Sequence, residues 1–378
     1  LYREIATKGT TGQVVADMPV PEPATATAEG GATAAEASTS PALDRFTGMA
    51  LVALVVQLGL GIHLRAVLAG MDQPWGSWLF LRQAHSHLGY YGLIFPLVWW
   101  AWRRQGLPVP GPLQTAAYAL ATAAATWGFV QAGYALLSIA ASTVVLLVWV
   151  IAALRLRRQV KELRSWWAPA VPAILLSAVA IPGVAVTISR DPAFARDLVQ
   201  AFLTLLMFGV ATPAALAQQG ARPPLAPAWT IGVLCTAMLL GPWPGLFTHL
   251  GAVLLAGLLL WTAWDLPELD QRAAWGGLVL GLLALGTGAL PESQPVAIAG
   301  LHYAVLGPVL MSLGAALVGR LPLLARLVYL LPVGVLTLAV LLPTWLPDPR
   351  WPAIATGAGV GVAAWWLSAI GWRWWGRR

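Results

Sequence analysis

From residue 46 to residue 372 the chain is a succession of apolar runs, each long enough to cross a bilayer as a helix, separated by short polar breaks. At a rise of about 1.5 Å per residue, a helix needs about 20 apolar residues to traverse the hydrocarbon core. Twelve segments qualify: 46–70, 78–102, 113–133, 135–155, 168–189, 198–218, 227–243, 245–264, 274–291, 295–319, 326–346 and 352–372. The breaks carry turn and charge signals at Arg103-Arg104-Gln105-Gly106, Ser189-Arg190-Asp191-Pro192, Asp265 to Arg272, Pro291 to Pro295 and Pro347-Asp348-Pro349. Pro242-Trp243-Pro244-Gly245 reads as a tight outer turn or a kink, and almost nothing joins the third run to the fourth. Of 378 residues, 58% are hydrophobic and 10% charged, whereas a soluble domain is about a quarter charged. So few charges could not cover a water-facing surface. A single cysteine, Cys235, excludes a disulfide scaffold. The expected fold is all-α, a polytopic membrane bundle of about 12 transmembrane helices. No clear internal repeat is visible in the sequence.

Lysine and arginine orient such a bundle. With the N-terminal tail in the cytoplasm, that side collects Arg45, Arg103, Arg104, Arg155, Arg157, Arg158, Lys161, Arg164, Arg222, Arg272, Arg320, Arg326, Arg373, Arg377 and Arg378. The outer side holds Arg65, Arg82, Arg190, Arg196 and Arg350, so the bias is 15 to 5 and both termini are cytoplasmic. The expected location is a bacterial-type inner (plasma) membrane, with the lipid bilayer as partner. The basic loop Arg155–Arg164 is then a topology signal and not a patch for nucleic acid. Residues 1–44, rich in Ala, Thr, Pro and Glu, cannot bury enough apolar surface to offset ordering and read as a disordered cytoplasmic tail. Residues 45–378 form the transmembrane helical domain. The chain begins at Leu1, as expected of a fragment, a processed form or an alternative start. Most of the 21 tryptophans fall near run ends, among them Trp75, Trp78, Trp99, Trp102, Trp166, Trp167, Trp264, Trp345, Trp372 and Trp375, and read as an interfacial belt.

No Asp or Glu falls inside a predicted span, but all five histidines do: His63 in the first, His85 and His87 in the second, His249 in the eighth and His302 in the tenth. Counted along the helices, all five lie within about 6–14 Å of the outer surface. An unpaired imidazole in apolar surroundings costs a few kcal/mol, so five of them need partners. Imidazole is the commonest metal ligand, and a set without thiolate or carboxylate suits haem iron or copper. Each histidine taken alone reads better as a hydrogen-bonded structural residue, and it is the five together that point to a metal or haem site.

The densest stretch is Arg82-Gln83-Ala84-His85-Ser86-His87-Leu88-Gly89-Tyr90-Tyr91-Gly92. Residues two apart on a helix point about 200° apart. His85 and His87 therefore face different sides, and one helix can stand between two sites. The face of His85 continues through Gly89 and Gly92, a groove in which a porphyrin could lie, and His63 has Gly59 one turn deeper. His63 and His85 are thus candidate axial ligands of a b-type haem, with Arg65 and Arg82 near its propionates. The alternative is that the glycines permit close helix packing and the arginines snorkel to the headgroups. His87, with Tyr91 one turn on, His249 and His302 are candidates for a second site. No GxGxxG, phosphate loop, Ser/His/Asp set or CxxC is present.

The run Gln83-Ala84-His85-Ser86-His87-Leu88-Gly89 resembles the His-x-His helix of the NnrS family, and Leu301-His302-Tyr303 through Gly307 is similar to its late histidine helix. That resemblance covers His85, His87 and His302 and implies a haem- and copper-associated twelve-span protein linked to nitric oxide. A wider likeness is to catalytic subunits of haem-copper oxidases and nitric oxide reductases. Their pattern calls for at least six ligand histidines with an adjacent pair, and this chain has five with no such pair. The expected function is redox chemistry, electron transfer or response to a small gas, with heme b or copper as cofactor and a redox partner or respiratory complex subunits as partners. The rival functions are a twelve-span secondary transporter, one for copper included, and a non-catalytic subunit of a respiratory complex.

Overall fold

The structure is a computed structural model that describes residues 44–160, 165–239, 246–291, 293–319 and 321–375. Among them there is no strand, and twelve helical segments succeed one another. These are α1 (Arg45–Leu68), α2 (78–104), α3 (Pro112–Ala132), α4 (Leu136–Gln159), α5 (Ala170–Thr187), α6 (Pro192–Gln218), α7 (Ala226–Leu239), α8 (Leu246–Trp264), α9 (Leu269–Gly286), α10 (294–318), α11 (Leu323–Leu341) and α12 (Trp351–Trp375). Seven of them, α1, α4, α5, α6, α10, α11 and α12, are long and apolar enough to cross a membrane by length and composition. Val52, Leu120, Leu147, Leu280 and Leu331 point outward and are more than half exposed. Such a surface would drive association in water, and lipid is the solvent that fits it. The chain is an all-helical membrane bundle.

Local chemistry sets the ends. Asp191 accepts the Phe194 N–H at 3.0 Å and Pro192, which has no N–H to satisfy, opens α6. That start lies six residues before the apolar run, because capping and not hydropathy decides where a helix begins. Likewise α9 begins at Leu269, which carries Asp270 inside the helix; its side chain is fully buried and lies 3.4 Å from Arg326 of α11, which also meets Glu268. The expected tail lies outside the described residues except at Asp44, which caps α1 and bonds Arg103 at 2.9 Å, so Asp44 belongs to the helical domain. The Pro242–Gly245 break and part of the Arg155–Arg164 loop also lie outside.

Each helix packs against the next and α12 returns to α1. Three helices are interrupted by π-helical turns: α2 at Gly89–Ile94, α6 at Met207–Ala211 and α10 at Val305–Val309. These are the second members of three successive groups of four, and their C-terminal pieces meet one another. A π turn inserts a residue and leaves a carbonyl without its regular partner at the exit. In each case an aromatic donor from the following helix takes it. Tyr118 of α3 donates to the Tyr91 carbonyl (2.5 Å), Trp229 of α7 to Phe208 (2.8 Å) and Tyr329 of α11 to Leu306 (2.6 Å). At two of the three the cause is explicit: the amide five residues on would be that of Pro96 or Pro213, which have no N–H. This threefold recurrence is carried by hydrogen-bond roles filled by different residue types, so the sequence does not display it.

The tryptophans divide. Trp75, Trp264, Trp372 and Trp375 are 72–74% exposed, as belt residues are. Trp99 and Trp102 are fully buried, and Trp99 stacks on Trp149 at 4.5 Å. Trp166 and Trp167 are also buried, each with its indole N–H bonded, to Ala221 and Gln105. These four are core, a correction to the belt reading: their neighbours come from distant helices and lie beyond reach of a count along one run.

Candidate functional site

The first half of α2 stands between two different surroundings, as the two-residue spacing of its histidines requires. On one side is His85. It faces a stripe of α1 formed by Gln57, Gly61 and Arg65, residues four apart and so on one face. The Gln57 amide nitrogen lies 3.3 Å from His85 Nε2. The Cε1 edge of the ring rests on Gly61, where a Cβ would come to 3.0 Å. Across from it stands His302 of α10, ring centroids 6.3 Å apart and planes within 16°. His302 donates its Nδ1–H to the Ile298 carbonyl at 2.8 Å, which leaves Nε2 with its lone pair. The Nδ1 of His85 and the Oε1 of Gln57 are buried with no hydrogen-bond partner. Arg65 is close enough for its charge to act on both rings.

His63 does not join this pair. It lies two residues beyond Gly61 on α1 and therefore points away from the face that meets His85. Its Nδ1 bonds Asp72 at 2.8 Å and its ring stacks on Trp75 at 3.8 Å, both in the loop after α1. The expected pairing of His63 with His85 is thus corrected: the ring that stands beside His85 is that of His302. The porphyrin groove is corrected too. A Cβ at Gly89 would come within 2.8 Å of the Gln57 amide nitrogen, and one at Gly92 within 2.7 Å of Ala53 Cβ, so α1 fills that face. Close helix packing is what these two glycines serve. Gly59 has nothing within 4 Å of its Cβ position.

On the other side of α2 is His87. Its Nδ1–H goes to the Gln83 carbonyl at 2.9 Å, so Nε2 is an acceptor, and the Tyr134 hydroxyl reaches it at 3.4 Å. Phe129 stacks on the ring at 4.0 Å, with Tyr91 and Tyr134 edge-on. These residues line a cavity of about 30 Å³ walled by α2 to α6. Arg82 belongs to this side: it lies over the Trp78 ring and acts electrostatically on Tyr134. Arg65 and Arg82 therefore do not flank one ligand.

His249 of α8 reaches the Leu285 carbonyl of α9 at 3.1 Å. His302 faces His85, so the trio of His87, His249 and His302 is not assembled as a second site. Among the described residues no three His, Cys, Asp or Glu side chains gather as a metal cluster. Gln57, Asp72 and Tyr134 escaped the sequence reading. The signal for Gln57 was its place four residues before Gly61 in an otherwise apolar run; Asp72 and Tyr134 lie in turns, and spacing does not tie them to a histidine.

No protein-family model matches this chain, and no curated protein does either.

Proposed function

We propose that the chain is a twelve-span protein of a bacterial-type inner membrane, both termini cytoplasmic, that holds one metal, haem iron or copper, between His85 and His302. The observation that carries this is the spacing of the two rings. A metal–nitrogen bond of about 2 Å on each side, plus about 1 Å from ring atom to ring centre, predicts centroids about 6 Å apart for two imidazoles on one metal. In the structure the centroids are 6.3 Å apart. His302 has its Nδ1–H tied to the Ile298 carbonyl, as ligand histidines usually have, which leaves Nε2 for a metal. The Gln57 amide nitrogen donates to His85 Nε2, which puts the ring proton on Nδ1. His85 would bind a metal through Nε2 once Gln57 releases it, or through Nδ1 once the Gln57 amide turns its oxygen to accept from Nε2–H.

The residues fit a two-imidazole metal, and a porphyrin would have to lie elsewhere than on Gly89 and Gly92. Arg65 supplies a positive charge beside the pair. It disfavours a bare cation and favours a metal bearing anionic groups, such as propionates. Bound there, the metal would supply one-electron redox chemistry or a gas-binding position, in keeping with a role in electron transfer or response to nitric oxide. Support for the twelve spans comes from the arginine bias and from the closed order of helices. The other five helices keep their places in that order, α2 and α3 between α1 and α4, and α7 to α9 between α6 and α10.

The test is an absorbance spectrum of the purified protein, air-oxidised and dithionite-reduced, with copper measured on the same sample. A Soret band with sharp reduced α and β bands, or about one copper per chain, is expected, and either His85→Ala or His302→Ala should abolish it while His63→Ala should not. Protein expressed with ample haem and copper that carries neither would overturn the reading. Retention in both single variants would do the same.

A further inference from the structure

The end of the bundle at which α1 starts and α2 and α4 finish carries Arg45, Arg103, Arg104, Arg155, Arg157 and Arg158. Three of these arginines are pinned around the start of α3 and the start of α1. Arg45 Nη2 donates to the Pro110 carbonyl at 2.6 Å. Arg155 Nη1 donates at 3.0 Å to Gln114 Oε1, an oxygen that also accepts the Gly111 N–H. Arg103 Nη1 crosses from α2 to Asp44 at 2.9 Å. Arg45 and Arg103 also share the Phe46 ring, their guanidinium carbons lying 4.8 and 6.0 Å from its centroid. Among the described residues, Asp44 is the one carboxylate paired with any of these arginines. Arg104, which lies over the Trp100 ring, and Arg155, Arg157 and Arg158 are exposed, and the Arg103 side chain is 49% exposed.

We infer that this cluster is a binding site for the headgroup of an anionic phospholipid. Like charges held this close repel, and a single carboxylate leaves the cluster strongly positive. Each pinned guanidinium spends one nitrogen on the protein and keeps further N–H donors on its exposed side. A planar fork of such donors matches the oxygens of a phosphate in pairs. Position names the source of that phosphate. Both α1 and α4 are long and apolar enough to cross a membrane, so the ends that carry Arg45 and Arg155 emerge at headgroup level. Leu113, beside Gln114 and 83% exposed, offers apolar surface to an acyl chain. A zwitterionic headgroup would bring its own cation into the cluster, whereas an anionic one brings only the charge that is missing. Arginines that merely orient a bundle need no fixed partners; here three helices contribute guanidiniums tied in place by Pro110, Gln114 and Asp44. The site is separate from the His85–His302 pair and does not rest on a metal there.

The test is native mass spectrometry of the full-length protein released from detergent micelles, with phosphatidylglycerol or phosphatidylcholine of identical acyl chains added. The first phosphatidylglycerol is expected to bind at least tenfold more tightly than phosphatidylcholine. An arginine near the headgroups contributes roughly fivefold to such binding. Arg45→Gln combined with Arg155→Gln should therefore remove most of the preference. Arg190→Gln, an exposed arginine in the turn after α5, should leave it intact. If the double variant does not fold, Arg104→Gln with Arg158→Gln serves in its place, since both side chains are exposed. Equal affinity for the two lipids, a preference undiminished in the double variant, or an equal loss in Arg190→Gln would overturn the inference. Displacement of phosphatidylglycerol by millimolar inorganic phosphate would also overturn it, because the ligand would then be a free anion and not a lipid.

Discussion

Tyr118→Phe deletes one oxygen and little else, which makes it the sharpest probe of how the π turns are stabilised. The ring stays in its edge-on contact with Trp99, centroids 4.5 Å apart, so packing is preserved. What is lost is the 2.5 Å bond to the Tyr91 carbonyl, which is then left buried and unpaired because Pro96 offers no N–H. Leaving a buried acceptor unmet costs about 1–3 kcal/mol in soluble proteins, whereas interhelical bonds in membrane proteins average about 0.6 and reach about 1.7 kcal/mol. Tyr91 and Tyr118 are both fully buried, so neither lipid rearrangement nor water relieves the carbonyl. The upper part of the membrane range applies, about 1–2 kcal/mol. The assay is unfolding in mixed micelles by SDS titration. Pro96→Ala restores an N–H within reach of the same carbonyl. In that background Tyr118→Phe should cost about 1 kcal/mol less, a coupling that a double-mutant cycle measures. A Tyr118→Phe protein within about 0.3 kcal/mol of wild type, or costs that simply add, would refute the reasoning.

Gly133 holds φ +62° between α3 and α4, and a Cβ there would lie 2.6 Å from Phe80 and 2.8 Å from Gln83 Oε1. Gly133→Ala should lower stability by about 1–3 kcal/mol, read by the same titration, through both strain and overpacking. Asp72→Ala removes the partner of a buried His63 and should cost about 1–2 kcal/mol; a neutral effect would mean that the loop carries no restraint from this bond. In the loop before α12, the Arg350 guanidinium and amide hold the Asp348 carboxyl down at about 2, below the usual carboxylate range. A carboxylate held low contributes above its unfolded value near 4 and loses that contribution as pH falls through about 2. A ¹³C titration of Asp348 should show the low midpoint, and Arg350→Ala should return it to the ordinary range.

The sequence by itself determined the solvent and the secondary structure. Apolar runs about as long as a bilayer is thick admit only helices in lipid, because every backbone group must pair within its own segment. The seven long apolar helices answer to that. The two-residue spacing of His85 and His87 likewise dictated that α2 serves two sides, since helix geometry is local. Partner choice is not local. His85 meets His302 from the far end of the chain because α10 packs beside α1 and α2, and His63 is excluded by its two-residue offset from Gly61. Gly89 and Gly92 look the same in sequence whether a cofactor or Gln57 and Ala53 occupies the groove. Trp99 and Trp102 sit near a run end as belt residues would, yet helices from elsewhere in the chain cover them. The threefold recurrence of π turns was invisible because Tyr118, Trp229 and Tyr329 share a role, donating to an orphaned carbonyl, and not an identity. Periodicity along one helix reports which face a residue occupies; what stands opposite that face is decided only when the helices pack.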